Sequence, residues 1–254
     1  MGGRQTVQTT QTCLKVPIIG LGSGYTSGKL NFLRRSTGQD FIPYYTGIRP
    51  NLFSLEKKYT YKGTNKHFKL SLWRVLELNL VIDAVETSEI YLRNSCGILL
   101  LLDINELENV FKNERIKFDS EYNTNTISRI KQFCPNVPIY LILTQIDKNP
   151  TLKEIEITKS YIQKFTNFLK EQNLNYNDTY FISSKSSSNE DFKKLWEELL
   201  PKFIDFSISK EINYSLEAEQ KELKEINKKI NNYNDCYNDC YKSTQKGLGS
   251  SHSK

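Results

Sequence analysis

Two uninterrupted apolar runs most constrain what this chain can fold into: "GILLLLDI", Gly97 to Ile104, and "VPIYLILTQID", Val137 to Asp147. A strand with one wet face alternates apolar and polar residues, whereas a strand covered on both faces reads as continuous apolar sequence. The two runs therefore predict central strands of a parallel sheet, which need crossover connections. Helical spacing follows in the right places, in "NTISRIKQF" between the runs and "ITKSYIQKFTNFLKEQ" after them. "LKVPIIG" and "DTYFISSK" predict further strands, and "KLNFLRRS" a short helix. "NEDFKKLWEELLPKFIDF" predicts an amphipathic helix with Asn189 as its cap. By contrast, "LFSLEKKYTY" and "HFKLSLWRV" alternate at period two, as an antiparallel pair does. The expected fold class is α/β: a mostly parallel sheet with one antiparallel edge strand and helices on both faces.

A length of 254 residues suits one such domain with extensions, or two small domains. The divisions expected are a flexible leader over 1–13, the α/β domain over 14–207, and a charged helix with a disordered tail over 208–254. Within the last segment "SLEAEQKELKEINKKI" carries only a thin apolar stripe of Leu216, Leu223, Ile226 and Ile230, so a solvated helix is expected. Five cysteines at irregular spacing suggest reduced thiols and a cytosolic chain. The longest apolar run is too short to span a bilayer, and no secretory segment opens the sequence. A net charge of +6 favours an anionic partner without choosing among nucleotide, lipid and nucleic acid.

The turn after "LKVPIIG" narrows that choice. In "GLGSGYTSGKL" the pair Gly28-Lys29 fits the end of the phosphate-loop pattern G-x-x-x-x-G-K-[ST]. Ser23 stands at the first glycine position and Leu30 at the hydroxyl position, while Gly20, Gly22 and Gly24 crowd the same turn. Glycines let backbone N–H groups turn inward around phosphate, and Lys29 would neutralise it. The loop candidates are Gly24, Tyr25, Thr26, Ser27, Gly28, Lys29 and Leu30. On these residues alone a nucleotide loop and a ligand-free glycine turn are equal alternatives.

Later landmarks fall in a telling order. "TQID" has Thr144, Gln145 and Asp147 on the positions of an N-K-x-D motif, and "SSK" has Ser183, Ser184 and Lys185 on those of S-A-K. "YLRNSCGILLLLDIN" is similar to a Y-x-R-x-x-x-G-(apolar)-D segment, and "KLSLWRVLEL" to a strand ending in tryptophan before D-x-A-G-Q. Over about Leu14 to Phe206 the chain resembles the small GTPases of the Ras superfamily, nearest in character to the Rab and Arf branches. The resemblance implies a P-loop NTPase G domain with a six-stranded sheet, guanine nucleotide (GTP or GDP) as ligand, and Thr46 as the first-switch threonine. It also implies effector or regulator proteins at the switch-like surface, and no nucleic acid.

The departures fall on chemistry. Leu30 replaces the hydroxyl that holds Mg²⁺ in the family, Arg74 the supporting aspartate, Glu77 the switch glycine and Leu78 the water-orienting glutamine. A register using Asp83 as the aspartate sets it too close to the "YLR" segment. No catalytic residue and no metal ligand is therefore assigned, and hydrolysis is expected to be slow or absent. Thr144 and Gln145 in place of asparagine and lysine are expected to remove a loop brace and a stacking stem. Three alternatives stand: a nucleotide switch on intracellular membranes, a pseudo-GTPase serving as a protein-interaction module, and an unusual P-loop hydrolase.

The opening "MGGRQT" fits M-G-x-x-x-[ST], which makes Gly2 a myristoylation candidate and the cytoplasmic face of membranes the expected location. One such chain binds only marginally, so acylation of Cys13 or surface charge is expected as a second signal. Cys236 and Cys240 lie too far from Lys254 for ordinary prenylation.

Overall fold

The computed structural model describes residues 12–21, 27–43, 52–61, 64–75, 84–107, 121–148, 151, 156–212, 214–215 and 217–229. In chain order these form β1 (Thr12–Gly20), α1 (Lys29–Ser36), β2 (Leu52–Tyr61), β3 (Thr64–Arg74), α2 (Ala84–Leu92) and β4 (Ile98–Asp103). There follow a 3₁₀ turn (Ile104–Glu106), α3 (Glu121–Phe133), β5 (Ile139–Thr144), α4 (Glu156–Glu171), β6 (Tyr176–Phe181) and α5 (Asn189–Ser209). A last helix spans 217–229.

The six strands lie in the order β2-β3-β1-β4-β5-β6. Every neighbouring pair is parallel except β2 with β3. This is the expected mostly parallel α/β architecture, with the antiparallel edge strand where the period-two segments put it. The two continuous apolar runs became β4 and β5, in which every residue is buried. Their side chains divide by parity between two apolar layers. Leu100, Leu102, Leu141 and Leu143 enter one layer, and Leu99, Leu101, Tyr140 and Ile142 the other. The first is covered by residues of α2, α3 and α4, such as Tyr91, Ile130 and Phe165. The second is covered by α1 and α5 through Phe32, Leu33, Trp196 and Phe203. Burying both faces in this way is the condition under which a parallel sheet is stable.

Three local expectations are corrected. The cap of α5 is Ser188, not Asn189. Its hydroxyl accepts from the Asp191 amide at 3.1 Å, while the Asp191 carboxylate accepts from the Ser188 amide at 2.7 Å. This reciprocal box satisfies two helix-end donors, which a cap one residue later would not. β1 begins at Thr12, inside the segment taken as leader, and Cys13 is buried in it. Burial pushes the Cys13 thiol up to about 11, so it is neither accessible nor ionised for acylation.

The third correction concerns the 217–229 helix, which is docked rather than solvated. Ile226 is fully buried in the layer that holds Trp73 and Tyr91, with Leu223 and Ala218 packed at its edge. Glu219 and Glu222 are buried as well. Just before the helix, the carbonyl of Tyr214 accepts from the Cys13 amide at 3.1 Å, so the segment is pinned beside β1.

Candidate nucleotide site

In an open α/β sheet ligands bind outside the C-terminal ends of the parallel strands, where loops and helix N-termini meet. At that edge β1 ends on Gly20, β4 on Asp103, β5 on Thr144 and β6 on Phe181. α1 starts there too, after Gly28 in the left-handed region at φ 72°. Glycine is suited to that conformation, and it places no side chain over the first amides of α1. Those amides and the helix dipole form a positive end suited to phosphate.

Gly20 serves a second purpose. A Cβ at this position would collide with Lys29 Nζ and Ser27 Oγ. The lysine ammonium therefore lies across the end of β1, and it donates to Ser27 Oγ at 3.3 Å. The described part of the turn is thus folded over the strand end with its lysine half-buried there.

Thr144 corrects an expectation. It is buried at the end of β5, and its hydroxyl lies 3.0 Å from the Ser27 carbonyl and 3.3 Å from that of Leu102. The loop brace expected to be lost with asparagine is supplied by a shorter side chain. Gln145 beside it takes a left-handed φ of 59°, which turns the chain toward Asp147.

Asp147 and the Ser183 loop form one unit. Ser183 Oγ donates to Asp147 Oδ1, and the same oxygen accepts from the amides of Lys185 at 3.2 Å and Ser186 at 3.0 Å. The Ser183 amide in turn donates to Ser187 Oγ at 2.9 Å. Asp147 and Ser184 are half-buried, and Lys185 is exposed. A held carboxylate with its second oxygen uncommitted to Ser183 can accept from paired N–H donors, the pattern that guanine presents. Arg35, which the sequence did not single out, ties this loop to α1: its Nη2 donates to the Ser187 carbonyl at 2.8 Å.

Among the described residues, the two positions that the resemblance gives to metal support offer no ligand for Mg²⁺. Leu30 offers no oxygen, and its side chain packs against the apolar layer of Phe32 and Trp196. Arg74 occupies the last position of β3, beside Ile18 of β1, where a hard cation would need an acidic or carbonyl ligand. Of the remaining candidates, Gly24, Tyr25, Thr26 and Thr46 lie outside the described residues, as do Gly2, Glu77, Leu78, Asp83, Cys236 and Cys240.

No family model and no curated protein matches this chain. Solved structures do match. One of them is the structure of Methanosarcina barkeri Roco2 RocCORdC bound to GDP, at 20% identity and a TM-score of 0.45. That match covers 76% of this chain and 50% of the other, so the chain spans about half the length of the structure it matches.

Proposed function

We propose that this chain is a Ras-superfamily-like guanine-nucleotide-binding protein of Rab or Arf character in which hydrolysis is very slow or absent. The observation that carries this reading is the pairing of loops at one sheet edge. Thr144 holds the turn before α1, while Ser183 holds Asp147 a few residues on. A phosphate-seeking helix end and a base-seeking carboxylate are thereby braced against the same strand end, as a nucleotide requires. Slow chemistry follows from Leu30 and Arg74, which supply no metal support, and from Leu78 at the position of the water-orienting glutamine.

The test is direct. Purified chain is heated and the released small molecules are chromatographed, beside Asp147→Ala prepared in the same way. GTP or GDP in the wild type, lost in the variant, supports the reading. No nucleotide in either, with no binding of added GDP, sinks it.

A second reading is favoured by Leu30, whose side chain is committed to the apolar core: a pseudo-GTPase that binds protein partners at its switch-like surface without nucleotide control. We further propose an anchor through myristoylated Gly2 on the cytoplasmic face of membranes, with surface charge as the second signal. The switch would then act in trafficking or signalling. The leader motif and the net charge of +6 support this.

A further inference from the structure

The 217–229 helix carries Glu219, Glu222 and Glu225 at every third position, and each of these three meets a cation of the domain. Glu219 accepts from Lys69 Nζ at 2.6 Å and from Ser71 Oγ at 2.8 Å, both on β3. Glu222 Oε2 accepts from Lys15 Nζ of β1 at 2.5 Å and from the Tyr214 hydroxyl at 2.8 Å. Its Oε1 accepts from Arg93 Nε at 2.8 Å. Glu225 lies 3.6 Å from Arg93 Nη2.

The two cations held by Glu222 both belong to the anchorage of α2. Lys15 Nζ also donates to the carbonyl of Ile90, in the last turn of α2, at 2.5 Å. Arg93 directly follows that helix. The Lys15 side chain has 0% exposure, and its ammonium lies 4.6 Å from the centre of the Trp73 ring and 5.2 Å from that of Tyr214. A buried ammonium without its counter-charge is strongly disfavoured. Removing the Glu222 charge must therefore either turn Lys15 toward water or leave it as a neutral amine, and in both cases the charge-assisted bond to Ile90 is lost.

We propose that the 217–229 helix is a clasp on α2, and that Glu222 is the positioning residue that closes it. Glu222 acts through Lys15 and Arg93, fixing the C-terminal end of α2 on the sheet. The consequence rests on the function proposed above in one respect: α2 follows the second-switch segment of the resemblance. The clasp would thus restrain the element that a bound nucleotide would move, and a partner that pulled the helix away would free it.

Hydrogen–deuterium exchange on the 254-residue chain, without nucleotide, tests this. In Glu222→Gln the amides of 84–92 should exchange at least about tenfold faster, while those of β5 stay within about twofold of wild type. The pair Lys15→Met/Glu222→Met leaves no lone buried charge and keeps its apolar bulk, so it folds even if the single variant does not. There the 217–229 amides should remain protected while α2 still loosens. That combination separates the clasp from mere docking. Wild-type rates at 84–92 in the double variant, or an equal loss of protection in β5, would overturn the proposal. A parallel arm with added GDP keeps the two readings apart, because a chain that binds no GDP leaves the exchange result untouched.

Discussion

The hydroxyl of Thr144 and the carbonyl of Ser27, 117 positions apart in sequence, lie 3.0 Å from each other at the edge of the sheet. The bond joins the end of β5 to the turn before α1, so it ties the base side of the candidate site to the phosphate side.

Thr144→Val keeps the shape and removes the donor, leaving the Ser27 carbonyl short of a partner in a buried place. The loss should be about 1–3 kcal/mol of stability, visible as a lower melting temperature. If GDP is bound, its dissociation should also quicken in stopped-flow measurements. A variant as stable as wild type, with unchanged dissociation, would show that the brace is decorative.

Metal dependence follows from Leu30 and Arg74. In the small GTPases that the sequence resembles, Mg²⁺ offsets phosphate charge, whereas here a guanidinium stands at the end of β3 and can make charge-assisted bonds to an anion. Calorimetric titration with GDP and GTP should give nearly equal affinities with and without EDTA. A tenfold or greater loss on chelation, about 1.4 kcal/mol, would mean that an ordinary metal site survives.

Lys15 makes stability depend on pH. Burial, only partly offset by Glu222, lowers its ammonium from 10.5 to about 8 in the folded chain. Between those two values the unfolded chain holds a proton that the folded chain has released. The unfolded state thus binds more protons, and this group's contribution to stability rises with pH across the window. The buried thiols act in the opposite sense: burial pushes Cys13 up to about 11 and Cys134 up to about 12, so they erode stability above the ordinary thiol range. The comparison is therefore with Lys15→Met, which keeps those thiols. Denaturant melts from pH 7 to 9.5 should show wild type gaining on the variant above pH 8, by up to about 1.4 kcal/mol per pH unit. A difference independent of pH would mean that Lys15 titrates normally.

Membrane association is expected to depend on Gly2. Gly2→Ala should shift most of the protein from the sedimenting to the soluble fraction of a cell lysate. A variant that still sediments with membranes has another anchor.

Local sequence patterns determined the six strands, the helices other than α2, the parallel centre, the antiparallel edge and the position of the Gly28-Lys29 turn. They could do so because each is a local property: an apolar run at β4, alternation at β2 and β3, a glycine and lysine before α1. Other features were decided only in three dimensions. Thr144 looked like a lost asparagine because motif matching compares residue types, whereas the fold needs only a donor within reach of Ser27. The 217–229 helix looked solvated because a face of carboxylates reads as polar, and nothing within the helix shows what opposes it. Its partners, Lys15, Lys69 and Arg93, stand on β1, β3 and the end of α2, and only the assembled sheet brings them to Glu219 and Glu222. Burial of charge depends on distant counter-charges, and those are set by tertiary packing.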